Sequence, residues 1–177
     1  MKCTQCKTQP LEPNELESGL IAAVCPQCQG ALLSLMNYRF WADRHAVTPS
    51  EVANVDEIVE VESAHSCPKC SRLMTKYQIG ASTSNKLDLC GACDEAWLDK
   101  GEWKLLKTLD LHGKLPKIFT DAWQRNIRKQ RQEIALNERY EKMLGKEDFT
   151  TVHEFKTWLY QNPNKELFKQ FLVIAPE

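Results

Sequence analysis

Apolar and polar positions alternate in part, as in a strand, along Leu73-Met74-Thr75-Lys76-Tyr77-Gln78-Ile79. Gly80 to Asn85 is turn material, and Lys86-Leu87-Asp88-Leu89 runs back as a second short strand. A helical period then takes over. Lys100 to Leu109 predicts a short helix started by Asp99, with Glu102 at capping-box spacing. Pro116 marks the entry to a long helix over about Phe119 to Leu144, on which Phe119, Trp123, Ile127 and Ile134 form one narrow apolar face. Beyond Ile134 the stripe moves to Leu136, Tyr140, Met143 and Leu144, which predicts a bend or contacts on two sides.

Gly145 ends this helix, and the capping-box pattern Thr151-Val152-His153-Glu154 predicts the start of another, carrying Phe155, Trp158 and Leu159. Asn162-Pro163-Asn164 interrupts it before a last helix, Lys165 to Ile174, with Leu167, Phe168, Phe171 and Leu172. Exposing all of these aromatics would leave a sticky patch, so they are expected to form a small core. Upstream, Thr48-Pro49-Ser50-Glu51 reads as an N-cap, and Val52, Val55, Ile58, Val59 and Val61 follow among Glu51, Asp56, Glu57, Glu60 and Glu62. This stretch is expected to be a half-buried acidic spacer.

All eight cysteines fall into Cys-x-x-Cys pairs, Cys3/Cys6, Cys25/Cys28, Cys67/Cys70 and Cys90/Cys93. The first two pairs are 18 residues apart and the second two 19, and Cys3 to Cys67 is an offset of 64 against 65 for Cys25 to Cys90. Around them, Cys25-Pro26-Gln27-Cys28 matches Cys67-Pro68-Lys69-Cys70, and Ala31-Leu32-Leu33 falls in register with Ala96-Trp97-Leu98. The chain therefore contains an internal duplication.

Two residues between cysteines allow a tight turn to aim both sulfurs at one ion, and two such turns supply the four soft ligands that zinc prefers. Each copy is thus expected to be a zinc ribbon of two short strands whose metal replaces a core that so small a unit lacks. Iron in a rubredoxin-like role and thioredoxin-like dithiol chemistry are the alternatives, the second disfavoured because no strand-to-helix context surrounds the pairs. No histidine directly follows a pair, which argues against covalent haem attachment.

Residues Cys67 to Leu106 resemble the small bacterial zinc-finger family described as transcription factor B-like (TFIIB-type), through Cys90-Gly91-Ala92-Cys93-Asp94-Glu95-Ala96-Trp97-Leu98-Asp99-Lys100-Gly101-Glu102. Glu95 stands where the family pattern has glycine. Cys3 to Leu33 is a weaker copy that has Gly30 at that position but replaces the Trp-Leu-Asp-x-Gly-Glu tail with Leu32-Leu33-Ser34-Leu35-Met36-Asn37. The two copies and their tails cover about half the chain. The resemblance implies a zinc-bound ribbon with a role in transcription or nucleic-acid contact. Trp97-Leu98 is expected to cover one side of its own knuckle.

The fold expectation is a small metal-stabilised α+β protein: two rubredoxin-like zinc ribbons, at 1–41 and 67–113, an acidic connector at 42–66, and a helical module at 114–177. Charge follows this division. The formal net charge is -1, from 23 Lys plus Arg against 24 Asp plus Glu. Two four-thiolate zinc sites would lower it to about -5. Residues 1–113 carry 11 basic and 15 acidic side chains, whereas 114–146 carry 9 and 4, a local excess of +5. Within that excess, Arg125, Arg128, Lys129 and Arg131 are candidates for contact with phosphate or an acidic partner, with Trp123 nearby; a merely solvated helix face is the alternative.

An enzyme is not expected. A four-thiolate site leaves no position for a reactive water, His45, His65, His112 and His153 lack metal-ligand spacing, and no phosphate-binding loop, dinucleotide fingerprint or nucleophile elbow occurs. His65, two residues before Cys67, reads as an outer or surface group rather than a ligand. No apolar run nears the roughly 20 residues needed to span a bilayer, and the first residues lack a signal-peptide core, so a cytoplasmic location is expected. The functional expectation is a non-enzymatic adaptor or regulator holding two Zn²⁺, associated with nucleic acid or with another protein, without a membrane partner. A homodimer through the C-terminal helices is a further expectation.

Overall fold

The structure is a computed structural model and describes residues 1–45 and 65–174, so the acidic connector's N-cap and valines lie outside the described residues. Contacts divide the chain into two compact units, Met1–Lys129 and Gln130–Glu177.

The first unit is built on one six-stranded antiparallel sheet. Its strands are β1 (Glu12–Glu17), β2 (Leu20–Val24), β3 (Ala31–Ser34), β4 (Thr75–Gln78), β5 (Lys86–Cys90) and β6 (Glu95–Leu98), in the order β1-β2-β3-β6-β5-β4. Each copy of the duplication is therefore a three-stranded meander, one strand more than the spacing predicts. The added strands β3 and β6 pair with each other at the centre, with Ala31 opposite Leu98, Leu32 opposite Trp97 and Leu33 opposite Ala96. At the offset of 65, Leu32 and Trp97 are equivalent residues. A local two-fold axis thus passes between them, and the copies meet as the subunits of an isologous dimer would.

Side-chain alternation gives the sheet two covered faces. Ala31, Leu33, Ala96 and Leu98 point into a core shared with helices, while Leu32 and Trp97 point to the other side, among the cysteines. Each meander runs into a helix, α1 (Leu35–Ala42) and α2 (Glu102–Thr108). Their buried residues are again related by 65: Tyr38 matches Trp103, and Trp41 matches Leu106. Trp41 and Trp103 meet edge to face at 5.9 Å. A 3₁₀ turn (His112–Lys114) and α3 (Leu115–Ile118) close this core, where the Tyr38 hydroxyl donates to the His112 carbonyl at 2.7 Å. Leu115 and Ile118 are fully buried, so the core extends past residue 113, where the sequence places the start of the helical module.

α4 (Asp121–Leu144) begins in the first unit and continues into the second. Its first turns cover the edge strand β4. The Gln78 N–H donates to Gln124 Oε1 at 3.1 Å, and Gln124 Nε2 donates to the carbonyls of Gln78 (3.0 Å) and Ile118 (2.8 Å). One side-chain amide thus satisfies the ladder groups that a further strand would take. The opposite edge, β1, carries Glu12, Pro13, Glu15 and Glu17, which discourage pairing with another chain.

In the second unit α5 (Lys146–Gln161) and α6 (Lys165–Ile174) form a hairpin. The helix break is Gly145, at φ 82°, and α5 starts one residue later rather than at Thr151. Thr151 therefore lies inside the helix, where its hydroxyl donates to the Glu147 carbonyl at 3.1 Å instead of capping. The expected aromatic core is also corrected. The Trp158 ring lies tilted against Phe155 at 5.6 Å and against Phe168 at 5.2 Å, yet of the hairpin's described residues Leu159 alone is buried. Two helices have too few neighbours to enclose that many rings.

Candidate metal centres

Four short turns present the cysteines. In each pair the residue after the second cysteine is left-handed: Lys7 (φ 59°), Gln29 (φ 61°), Ser71 (φ 62°) and Asp94 (φ 55°). Its N–H returns to the carbonyl of the first cysteine, Lys7 to Cys3 (2.9 Å), Gln29 to Cys25 (2.9 Å), Ser71 to Cys67 (2.8 Å) and Asp94 to Cys90 (2.9 Å). All four pairs are thus the same knuckle, although none places glycine, the residue freest in this conformation, at the left-handed position.

The knuckles assemble two by two, within each copy. Sulfurs of Cys3, Cys6, Cys25 and Cys28 lie within 4.8 Å of one another, and so do those of Cys67, Cys70, Cys90 and Cys93. Individual separations are 3.5 Å for Cys3 to Cys28, 3.9 Å for Cys6 to Cys25 and 3.5 Å for Cys70 to Cys90. A tetrahedron with metal–sulfur bonds of about 2.3 Å has edges of about 3.8 Å, whereas a disulfide needs about 2.05 Å. All eight thiols are free, and their spacing is that of a four-coordinate metal rather than of a bridge. The two clusters could each hold one metal ion.

Local electrostatics split the thiols, holding Cys25 and Cys70 down and pushing Cys6, Cys28, Cys67 and Cys93 up. Burial pushes the Cys67 and Cys28 thiols up, against the N–H groups of Lys69 and Cys70 that point at the Cys67 sulfur and that of Gly30 at the Cys28 sulfur. Burial opposes ionisation of Cys25, but hydrogen bonds from the backbone of Cys28 and Gln27 and from neighbouring thiols bring it down to about 7. Cys70, bonded first by the Arg72 N–H and then by the Cys93 thiol, also falls to about 7, while sharing a proton with Cys70 pushes Cys93 up to about 12. Four sulfurs this close cannot all ionise alone. A dication among them removes that conflict.

The clusters share one apolar layer, made by Cys3, Cys25, Leu32, Cys67, Met74, Cys90 and Trp97. Trp97 does more than cover its own knuckle, because its ring lies over Gly30 of the other copy. A Cβ added at Gly30 would overlap Trp97 Cζ2 and sit 3.1 and 3.2 Å from Cε2 and Cη2. This accounts for a glycine in one copy and a tryptophan in the other. The tryptophan of one copy needs glycine in the other, and Glu95, the equivalent of Gly30, is related by the two-fold to a copy that has Leu32 in place of the tryptophan.

A buried polar layer lies beneath. Asp99 Oδ1 accepts from Trp97 Nε1 at 2.9 Å and from Gln5 Nε2, inside the first knuckle, at 3.0 Å. Half of the expected capping box exists: the Asp99 N–H donates to Glu102 Oε2 at 2.8 Å, but the Asp99 carboxylate serves Trp97 and Gln5, and Gly101 at φ 87° precedes α2. Burial pushes Glu102 well above the usual carboxylate range and raises Asp88, which retains Lys76 at 3.3 Å. His65 is 4% exposed, with Nδ1 3.4 Å from Thr4 Oγ1, and so is a buried support rather than a surface group. Gln5 and Asp88 carry no local signal of membership in this layer, because Gln5 meets Asp99 across 94 positions and Asp88 meets Lys76 across 12, whereas Glu102 was visible through its spacing from Asp99.

Of the basic candidates, Arg125, Arg128 and Lys129 are exposed on α4, and Arg131 is partly buried. Trp123 is not free to stack on a base. Its Nε1 donates to the Ile79 carbonyl at 3.2 Å and its ring packs on the sheet core. No helix among the described residues is long and apolar enough to cross a membrane. No family model matches the chain, and no curated protein or solved structure matches it.

Proposed function

We propose that each cysteine cluster holds one structural Zn²⁺ in a rubredoxin-like ribbon, and that the protein is a non-enzymatic adaptor or regulator associated with nucleic acid. The observation that carries the zinc reading is the pair of four-sulfur clusters, each closed by two identical knuckles. Four thiolates saturate a tetrahedral ion, so the metal acts as a staple with no position for a substrate. The transcription factor B-like resemblance of Cys90 to Glu102 supports the same reading.

Exposed Arg125, Arg128 and Lys129 support the nucleic-acid association, since three cations on adjoining helical faces suit phosphates. In a titration of single- and double-stranded DNA and RNA against salt, log K should fall with log salt. Replacing the three by glutamine should flatten the slope by about 3 while both metals remain bound. Absence of binding at low salt contradicts the association. A second reading, a protein-interaction module without nucleic-acid affinity, draws on the exposed aromatics of α5 and α6.

A further inference from the structure

The hairpin α5–α6 is amphipathic, and its apolar side is uncovered. On α6, Leu167, Phe171 and Ile174 recur at helical spacing and are 65%, 70% and 73% exposed, and Leu172 continues the face toward α5 at 57%. On α5, Val152, Phe155 and Trp158 flank buried Leu159 on one side of the helix. The face is continuous because Trp158 bridges to Phe168. Fully exposed aliphatic and aromatic side chains present about 150–250 Å² each, so the face offers roughly 750 Å² per chain, near the ~800 Å² that each partner contributes to a stable interface.

Charge narrows the occupant. Lys146 to Ile174 carries four basic residues (Lys146, Lys156, Lys165 and Lys169) and four acidic ones (Glu147, Asp148, Glu154 and Glu166). A hairpin with this balance has no net excess of cations to draw it to nucleic acid or an anionic bilayer, and two copies carry no net charge to repel each other. Two helical hairpins laid apolar face to apolar face make a four-helix bundle, which covers the Phe155, Trp158, Leu167 and Phe171 side chains that one hairpin leaves exposed.

We propose that the occupant is a second copy of this chain, and that α5 and α6 of two chains form a four-helix bundle. Sedimentation velocity on the zinc-loaded full chain at 1–50 µM should give about 41 kDa, twice the 20.4 kDa chain. L167E/F171E should sediment as a monomer, with a dimer Kd at least about 100-fold higher, while retaining its metal and helical circular dichroism. Val173, 85% exposed on the other side of α6, is the control: V173E should remain dimeric. A wild-type monomer at 50 µM overturns the proposal, as does a L167E/F171E variant that still dimerises. A monomer that binds neutral phosphatidylcholine vesicles through this face also overturns it, assigning the surface to lipid.

Discussion

Adding one methyl group at Gly30 tests the packing that joins the two copies. The backbone of Gly30 is not left-handed, so Gly30→Ala introduces no torsional strain, and its cost comes from the Trp97 ring alone. Trp97 is fully buried, and its Nε1–H is held by the Asp99 carboxylate, so the ring can yield only by opening the apolar layer or releasing that bond. Overpacking by a methyl costs about 1–3 kcal/mol, and a lost hydrogen bond to a charged group about 1.5–3 kcal/mol. We expect Gly30→Ala to destabilise the first unit by about 2–4 kcal/mol, read by urea unfolding at fixed free zinc with tryptophan fluorescence. Trp97→Leu installs the residue that Leu32 supplies at the equivalent position. It removes the ring, so the double variant should cost at least about 1 kcal/mol less than the sum of the single ones. A Gly30→Ala protein within about 0.5 kcal/mol of wild type, or strictly additive costs, would refute the inter-copy contact.

Gln124→Ala should cost about 1–3 kcal/mol in the same assay, because it strips partners from the backbone of Gln78 and Ile118, and amide exchange at Gln78 should rise. Glu102 binds its proton more tightly folded than unfolded, so between its unfolded value of 4.5 and its raised folded value the native state holds the extra proton and stability falls as pH rises. Glu102→Gln keeps an acceptor for the Asp99 N–H without the charge. Its stability relative to wild type should therefore improve with pH across that window, and a pH-independent difference would show that Glu102 is not buried. Chelation of the metal should abolish the sheet's circular dichroism, since each cluster ties the connection between two strands of its copy, Cys25 and Cys28 between β2 and β3 and Cys90 and Cys93 at the turn from β5 to β6, and a chelated protein with unchanged strand signal would contradict that dependence.

Local features of the sequence predicted the local structure well. Cys-x-x-Cys spacing indicated both four-sulfur groups, and Lys165 to Ile174 coincides with α6, where Asn162-Pro163-Asn164 sets the break. The central strands were not visible because Ala31 to Leu33 and Glu95 to Leu98 are buried throughout, which erases the alternation that identifies a half-buried strand. The packing of Trp97 on Gly30 joins residues that are far apart in sequence and depends on a two-fold that the 65-residue offset implies only once β3 and β6 are known to pair. Thr151 to Glu154 illustrates the opposite error. The pattern satisfies a capping box, but Gly145 breaks the helix earlier, and nothing in Thr151 itself reports that. In α5 and α6 the apolar periodicity showed that a face needs cover without showing which surface supplies it.

The measurement closest to the central claim is the metal content and sulfur coordination of the purified full chain, by native mass spectrometry with X-ray absorption. Two closed clusters predict two zinc ions per chain, each with four sulfurs at about 2.3 Å and no nitrogen or oxygen neighbour. One ion or none per chain, a mixed ligand shell, or cysteines paired as disulfides would contradict it.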